Sequence, residues 1–446
     1  MEGNPKAGFA PRGEQSWKIG HARRTSCEIS SSLRWAKAIR RRFISLGLYR
    51  DGIQPERFRA SGRAVNWQDS EHLSRRMAHP KHTMTTLHES LTVGAITLPN
   101  RVLMAPLTRA RSAQPGDIPQ AINAKHYAQR ASAGLIISEA SQISPQGKGY
   151  AFTPGIHSPE QIAGWRDITN AVHEAGGRIF LQLWHVGRIS HVDLQPNGAD
   201  PVAPSAIRSP TQTFTSADSG MVDVSMPRAL EIDEIPGIVA QYRAAAQNAM
   251  DAGFDGVEIH GANGYLLDQF TRTGTNKRTD DYGGSLENRL RLPLEVTEAV
   301  VEVWGADRVG YRISPTGEFN GMSDNNPAQT FSTLATALSD RGLAYLHVVE
   351  EFRGSTRDEA VLGPIREAFK GVYIANGGYT AATAQERISS GKADAIAFGT
   401  LFIANPDLPK RLRIGAALNE PDPTTFYGGD EKGYNDYPFL ESVSRA

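Results

Sequence analysis

From residue 84 onward, apolar positions fall in short continuous runs rather than in alternation. Eight runs rich in Val, Ile, Leu and Phe recur, at Arg101–Leu107, Leu135–Ile143, Arg178–Trp184, Gly256–Ala262, Arg308–Pro315, Tyr345–Glu350, Val372–Tyr379 and Ala395–Phe402. Each ends in polar or Gly residues and is followed by a stretch of helical periodicity. A strand apolar at every position is buried on both faces, as parallel strands covered by helices are. Helix signals lie between the runs: Ser158–Ala175 opens on Ser-Pro-Glu, Ile235–Ala252 follows Asp233 and Glu234, and Ser285–Trp304 and Thr380–Ser390 show the same periodicity. Eight strand–helix units predict an α/β fold of the (β/α)8 TIM-barrel type. In such a barrel functional groups stand at the carboxyl ends of the strands, and phosphate is often held by the loops after strands seven and eight. The Pro/Ser/Thr-rich connection from His191 to Arg228, between strands three and four, is too long for an ordinary loop of this fold and is expected to cap the mouth.

Composition narrows the class. The 446 residues include 48 Lys and Arg against 48 Asp and Glu, with 39% hydrophobic residues, which describes a soluble globular protein. No run of 18 apolar residues occurs, so no spanning helix is expected. Cys27 is the only cysteine, which excludes an internal disulfide, a thiolate zinc site and an iron–sulfur cluster and points to a reducing, cytoplasmic setting. The balanced charge hides two unlike parts. Residues 1–83 carry 17 basic and 7 acidic side chains, and the remainder is acidic by the same margin. We therefore expect a basic, poorly ordered extension over 1–83 and a barrel domain over 84–446, with the boundary near Met84. The extension contains an amphipathic stretch, Leu33–Ile44. A transit peptide, a nucleic-acid or membrane arm built on Arg40-Arg41-Arg42, and a stretch translated upstream of a start at Met84 all remain open for it.

The most informative run ends in Gly256-Val257-Glu258-Ile259-His260-Gly261-Ala262-Asn263-Gly264-Tyr265. His260, Asn263 and Tyr265 leave the strand within six positions and can converge on one small volume. A His and an Asn can both donate hydrogen bonds to one oxygen, which suits charge developing on a carbonyl or nitro group, and a Tyr hydroxyl can deliver a proton. A His at the end of a barrel strand is as often a packing residue, so the trio alone decides nothing.

A second stretch, Arg278-Thr279-Asp280-Asp281-Tyr282-Gly283-Gly284-Ser285-Leu286-Glu287-Asn288-Arg289, changes the picture. Together with Ala105-Pro106-Leu107-Thr108-Arg109, the segment Gln182–His191 and Phe426-Tyr427-Gly428-Gly429, it resembles the old yellow enzyme family of FMN-dependent ene-reductases, especially its nitrate-ester and N-ethylmaleimide reductases. The likeness runs in order over residues 86–440. It implies tightly but non-covalently bound FMN, with Pro106 and Thr108 at the ring, Thr108 bonding the flavin C4 oxygen. It also implies Ala140 as the small residue under the ring, Gln182 at its pyrimidine edge, and Arg312 beside N1 and the C2 oxygen. Phosphate falls to Asn376, Gly377 and the following Gly378, and to Gly399 and Thr400. Relatives usually place Arg or Lys where this chain has Thr400, so retained but weaker FMN binding is expected.

The same resemblance implies a reaction in two halves. NADPH or NADH reduces the flavin and leaves. An electron-poor alkene then binds with its oxygen on His260 and Asn263, takes hydride at the β-carbon and is protonated by Tyr265 on the opposite face, within walls shaped by Trp184 and Tyr427. Partners implied are small molecules: enones, maleimides, nitroalkenes, nitrate esters or nitroaromatics. No metal, nucleic-acid, membrane or protein partner is implied. The rival functions fit less well. A metal-dependent hydrolase would recruit His185, His191 and His260 but lacks a His-x-His on strand one, and an aldolase would need a strand-borne Lys, which no run has. A non-catalytic flavin- or ligand-binding barrel remains the alternative.

Overall fold

The computed structural model describes residues 85–440. The basic extension 1–83, its amphipathic stretch and the boundary near Met84 lie outside the described residues. Eight strands close a barrel in which every neighbouring pair is parallel: β1 Val102–Met104, β2 Ile136–Gln142, β3 Ile179–Trp184, β4 Gly256–His260, β5 Val309–Ile313, β6 Tyr345–Val349, β7 Val372–Asn376 and β8 Ala395–Phe398, with β8 paired back to β1. Each of the eight runs supplies one strand, and almost every strand residue is buried, as in parallel strands covered by helices. The helical segments appear at Pro159–Glu174, Ile235–Asp251, Leu286–Trp304 and Ala381–Ser389. Their starts follow from sequence. Ser158 caps the first by accepting from the Gln161 N–H, Gln161 returns the contact to the Ser158 N–H, and Pro159 occupies the first turn, where its missing N–H costs nothing. Ser285 caps the third through the Asn288 N–H.

Every strand is shorter than its run, and the ends of runs seven and eight show why. The run Val372–Tyr379 stops at Asn376 because Gly377 and Gly378 adopt φ of +128° and +59°, which leaves extended geometry. A Cβ at Gly377 would lie 2.4 Å from the Glu351 carbonyl oxygen, so only glycine fits. The run Ala395–Phe402 stops at Phe398, and its last apolar residues belong to the short helix Thr400–Ala404. Apolar character alone does not separate a short strand from a buried helical turn.

One end of the barrel is closed and the other open. The hairpin Leu91–Val93 with Ile96–Leu98 packs Val93, Ile96 and Leu98 against Leu103, Ile137, Phe180 and Tyr345, plugging the end where the strands begin. Over the opposite mouth the β3–β4 connection forms the expected cap. Gln212–Thr213 pairs antiparallel with Val222–Asp223, and Val202–Ala203 pairs with Arg228–Ala229. The cap is fastened to the segment after β2 by the Thr213 hydroxyl on the Gly149 carbonyl and by the Ala151 N–H on the Phe214 carbonyl at 3.0 Å. Among the described residues no helix is long and apolar enough to cross a membrane.

Candidate active site

The carboxyl ends of the strands open into a cavity of about 1730 Å³, and every residue that the family resemblance assigns to cofactor, substrate or proton transfer borders it. From the β1 loop come Pro106 and Thr108. That loop is held from behind by the buried Glu139 carboxylate, which accepts from the Arg109 and Ala110 N–H groups at 3.1 and 3.3 Å. On β2 a bulge between Ile137 and Ala140 shifts the register and sets Ala140 beside Gln182 of β3. The methyl group of Ala140 is the smallest side chain that keeps a Cβ, so this wall of the cavity stays flat.

Polar groups line the next sector. Arg312, on β5, donates from Nη2 to Asn376 Oδ1 at 3.0 Å, and Asn376 donates from Nδ2 to the Ala397 carbonyl at 2.7 Å. Arg312 Nε has no protein partner. Burial lowers the pKa of this guanidinium while the nearby Glu258 opposes the shift. Past β7, Gly377 and Gly378 line the cavity; Gly399 and the exposed Thr400 do so past β8.

The β4 end brings the chemical trio together. His260 is buried and its Nδ1 has no protein partner. Burial, then the positive Arg312, then His347 hold its pKa well below the ordinary 6.5, so the imidazole is neutral at pH 7. Asn263 takes φ +59°, a conformation Asn tolerates better than most residues, and its Oδ1 is likewise unpartnered. Its backbone is fixed by the N–H on Ser314 Oγ at 2.7 Å and by Asn320 Nδ2 on its carbonyl at 2.9 Å. Tyr265 stands edge-on to His260 with ring centroids 5.1 Å apart. Burial and then the neighbouring Tyr150 push its hydroxyl well above 10, so it remains protonated. Trp184 makes a T-shaped contact with Tyr265 at 5.0 Å, and Tyr427, 53% exposed, forms part of the outer rim.

Sequence reasoning missed Tyr150. Its hydroxyl lies 3.3 Å from that of Tyr265, and its ring stacks on Trp184 at 5.8 Å and leans on Phe214 of the cap. Phe319 and Phe352, also unremarked in the sequence, complete an aromatic wall. These residues sit in loops, where no periodicity signals burial. The hydrolase constellation is not assembled. His185 is fully buried, pushed down to about 3 by desolvation, and accepts from the Gly187 N–H; His191 faces Asp193; neither borders the cavity. Among the described residues, no group of three or more His, Cys, Asp or Glu is placed to hold a metal.

Residues 86–419 match the NADH:flavin oxidoreductase / NADH oxidase family. The chain belongs to that family. This is the old yellow enzyme family that the sequence resembles, and its members are flavin-dependent oxidoreductases driven by a reduced nicotinamide. The chain is 48% identical over 358 residues to 12-oxophytodienoate reductase 1 of Oryza sativa subsp. japonica, covering 79% of this chain and 92% of that one. Among solved structures it superposes on morphinone reductase in complex with tetrahydroNAD with a TM-score of 0.78 and 54% identity, over 81% of this chain and 99% of the other. The old yellow enzyme homologue from Zymomonas mobilis gives a TM-score of 0.77 and 46% identity, over 80% of this chain and 100% of the other.

Proposed function

We propose that the cavity holds FMN and that the protein reduces the C=C bond of electron-poor alkenes with NADPH or NADH as reductant. The class includes enones, maleimides and nitroalkenes, with nitrate esters and nitroaromatics as further acceptors. The observation that carries this reading is the convergence at the cavity edge of a neutral imidazole, an amide and a protonated phenol: His260, Asn263 and Tyr265.

The cavity residues also suit the cofactor. Arg312 Nε, His260 Nδ1, Trp184 Nε1 and Asn263 Oδ1 are buried polar atoms without protein partners, and buried polar groups ordinarily have one. Thr108, Ala140, Gln182 and Arg312 would hold the ring, with Pro106 packed beside it. Asn376, Gly377, Gly399 and Thr400 would hold the phosphate, the glycines because a backbone without Cβ lets N–H groups close on an anion. FMN, when bound there, would supply the hydride chemistry between the nicotinamide and the alkene β-carbon.

The chain's own residues do the rest. His260 and Asn263 hold the substrate oxygen, where charge develops as the alkene is reduced. Tyr265 delivers the proton to the α-carbon. Trp184 and Tyr427 bound the substrate volume. The fixed Arg312 cation stabilises negative charge on the reduced ring. Thr400 offers a hydroxyl in place of a second cation, so phosphate affinity rests on backbone donors. Oxophytodienoate and morphinone, after which two relatives are named, are natural first substrates to try.

A visible spectrum tests the reading directly. The purified protein should show a flavin band that NADPH bleaches anaerobically and 2-cyclohexenone restores. A colourless protein that takes up no added FMN would refute it, and bound FMN that no alkene reoxidises would favour the non-catalytic alternative.

A further inference from the structure

One layer below the trio, the barrel carries a buried carboxylate to which the reaction gives no task. Glu258 is fully buried in the middle of β4, two positions before His260 and therefore on the same, inward face. Its Oε1 accepts from Gln182 Nε2 at 2.7 Å and its Oε2 lies 2.8 Å from His347 Nδ1. The strand register explains the meeting: Gln182 pairs with Glu258, His260 with Arg312, and Arg312 with His347.

A buried carboxylate is costly unless paired. Burial pushes the Glu258 carboxyl up, but His347, Arg312 and Gln182 together outweigh it and hold its pKa below the ordinary value, so it is ionised at pH 7. Burial lowers His347 while the Glu258 carboxylate opposes the shift, and its Nδ1 donates to that carboxylate. The layer thus sets the Glu258 carboxylate among His347, Arg312 and Gln182.

Two consequences follow. An ionised carboxylate only accepts hydrogen bonds, so the Gln182 amide must turn its NH2 group to Glu258 and its carbonyl oxygen elsewhere, towards the cavity it borders. Glu258 also offsets part of the field that Arg312 projects into the cavity. We propose that Glu258 is a positioning residue for the flavin: it fixes Gln182 as an acceptor for an N–H edge of the ring and attenuates the Arg312 charge, lowering the flavin midpoint potential. This rests on the proposed occupancy of the cavity by FMN.

Two variants of the holoprotein separate the two effects. Glu258→Gln keeps the volume and an oxygen for Gln182 but removes the charge, and His347 can answer by moving its proton to Nε2, which has no partner. Its two-electron midpoint potential should rise by about 30 mV, a tenfold change in the oxidised-to-reduced ratio, with the FMN Kd within about threefold of wild type. Glu258→Asp keeps the charge but draws it away from Gln182. Its FMN Kd should rise about tenfold, the order of one lost charge-assisted hydrogen bond, with a much smaller shift in potential.

A merely structural Glu258 would lower the melting temperature in both variants and leave potential and Kd unmoved, and that result overturns the proposal. If Glu258→Gln does not fold, an unchanged Kd in Glu258→Asp overturns it. Wild-type protein that takes up no FMN sinks the occupancy reading itself, an outcome distinct from variants that bind FMN unaltered.

Discussion

Two stretches of this chain are equally conspicuous as sequence, Gly256–Tyr265 and Arg278–Arg289, and the structure gives them opposite roles. In the second stretch most of the buried and half-buried polar side chains meet protein partners. Arg278 forms a two-point pair with Asp280 and donates to the Pro204 and Leu230 carbonyls, Asn288 reaches the Asp280 carbonyl, and Arg289 donates to Thr271 and Gly284. None of its residues borders the cavity. In the first stretch His260 and Asn263 each keep a buried polar atom with no partner, facing a large void. Evolutionary recognisability therefore does not separate chemistry from scaffold. Unpartnered polar atoms that border the cavity do: in these two stretches the satisfied groups hold the scaffold, while His260 and Asn263 keep capacity for a ligand.

The sharpest way to break that contrast is at the phenol. Tyr265→Phe removes the proton donor and little else, so enone reduction should fall by about 10²–10⁴-fold while flavin reduction by NADPH keeps its rate. Stopped-flow measurement of the two half-reactions checks this, and equal losses in both would remove Tyr265 from its assigned role. Nitrate esters need no proton at an alkene carbon, so their reduction should be less affected. His260→Ala comes next. Loss of an oxyanion-type donor costs about 10²–10³-fold, and both the oxidative half-reaction and the binding of phenolic or carbonyl ligands should suffer together.

On the scaffold side the prediction is thermodynamic. Arg278 is 8% exposed at its side chain, and Arg278→Ala would strand two carbonyls and the half-buried Asp280 carboxylate. Stability should drop by about 1.5–3 kcal/mol, read as a lower denaturant midpoint, with turnover per folded molecule within about twofold. A variant of ordinary stability with turnover abolished would reverse the assignment of roles. Smaller still is Tyr150→Phe. One neutral hydrogen bond of about 1 kcal/mol is lost from Tyr265, so protonation should slow roughly fivefold while the ring continues to stack on Trp184.

The same accounting explains what was legible beforehand. The eight strands could be read because a strand buried on both faces is rich in apolar residues at successive positions, as Val257, Ile259, Tyr311 and Leu346 illustrate. The trio could be read because its members lie close in sequence. Tyr150 and Phe214 could not, since they come from two loops that approach only once the cap folds back. Glu258 sat in plain sight within an apolar run. A charged residue in a strand with no solvent face must have a charged or polar partner across the barrel, and Arg312 and His347 in neighbouring runs were the candidates. The ends of runs seven and eight misled because the turn at Gly377 and the apolar helix residues Leu401–Ala404 continue each run without a break in its character.

The smallest expected effect is a flat pH profile, and it tests the electrostatics of the trio most directly. Burial and Arg312 hold His260 below 6.5, and burial with Tyr150 holds Tyr265 above 10. Between those ordinary values neither group changes charge, so the oxidative half-reaction should vary by less than about twofold across that window. An inflection there would mean that one of the two environments is wetter than the structure allows. Stability behaves differently on the acid side. His126, His185, His260 and His347 all have folded pKa values below 6.5, so below that pH the unfolded chain binds protons that the folded chain refuses. The protein should therefore lose stability as the medium is acidified through pH 6.5, while the rate constant of the protein that remains folded stays level until His260 itself is protonated.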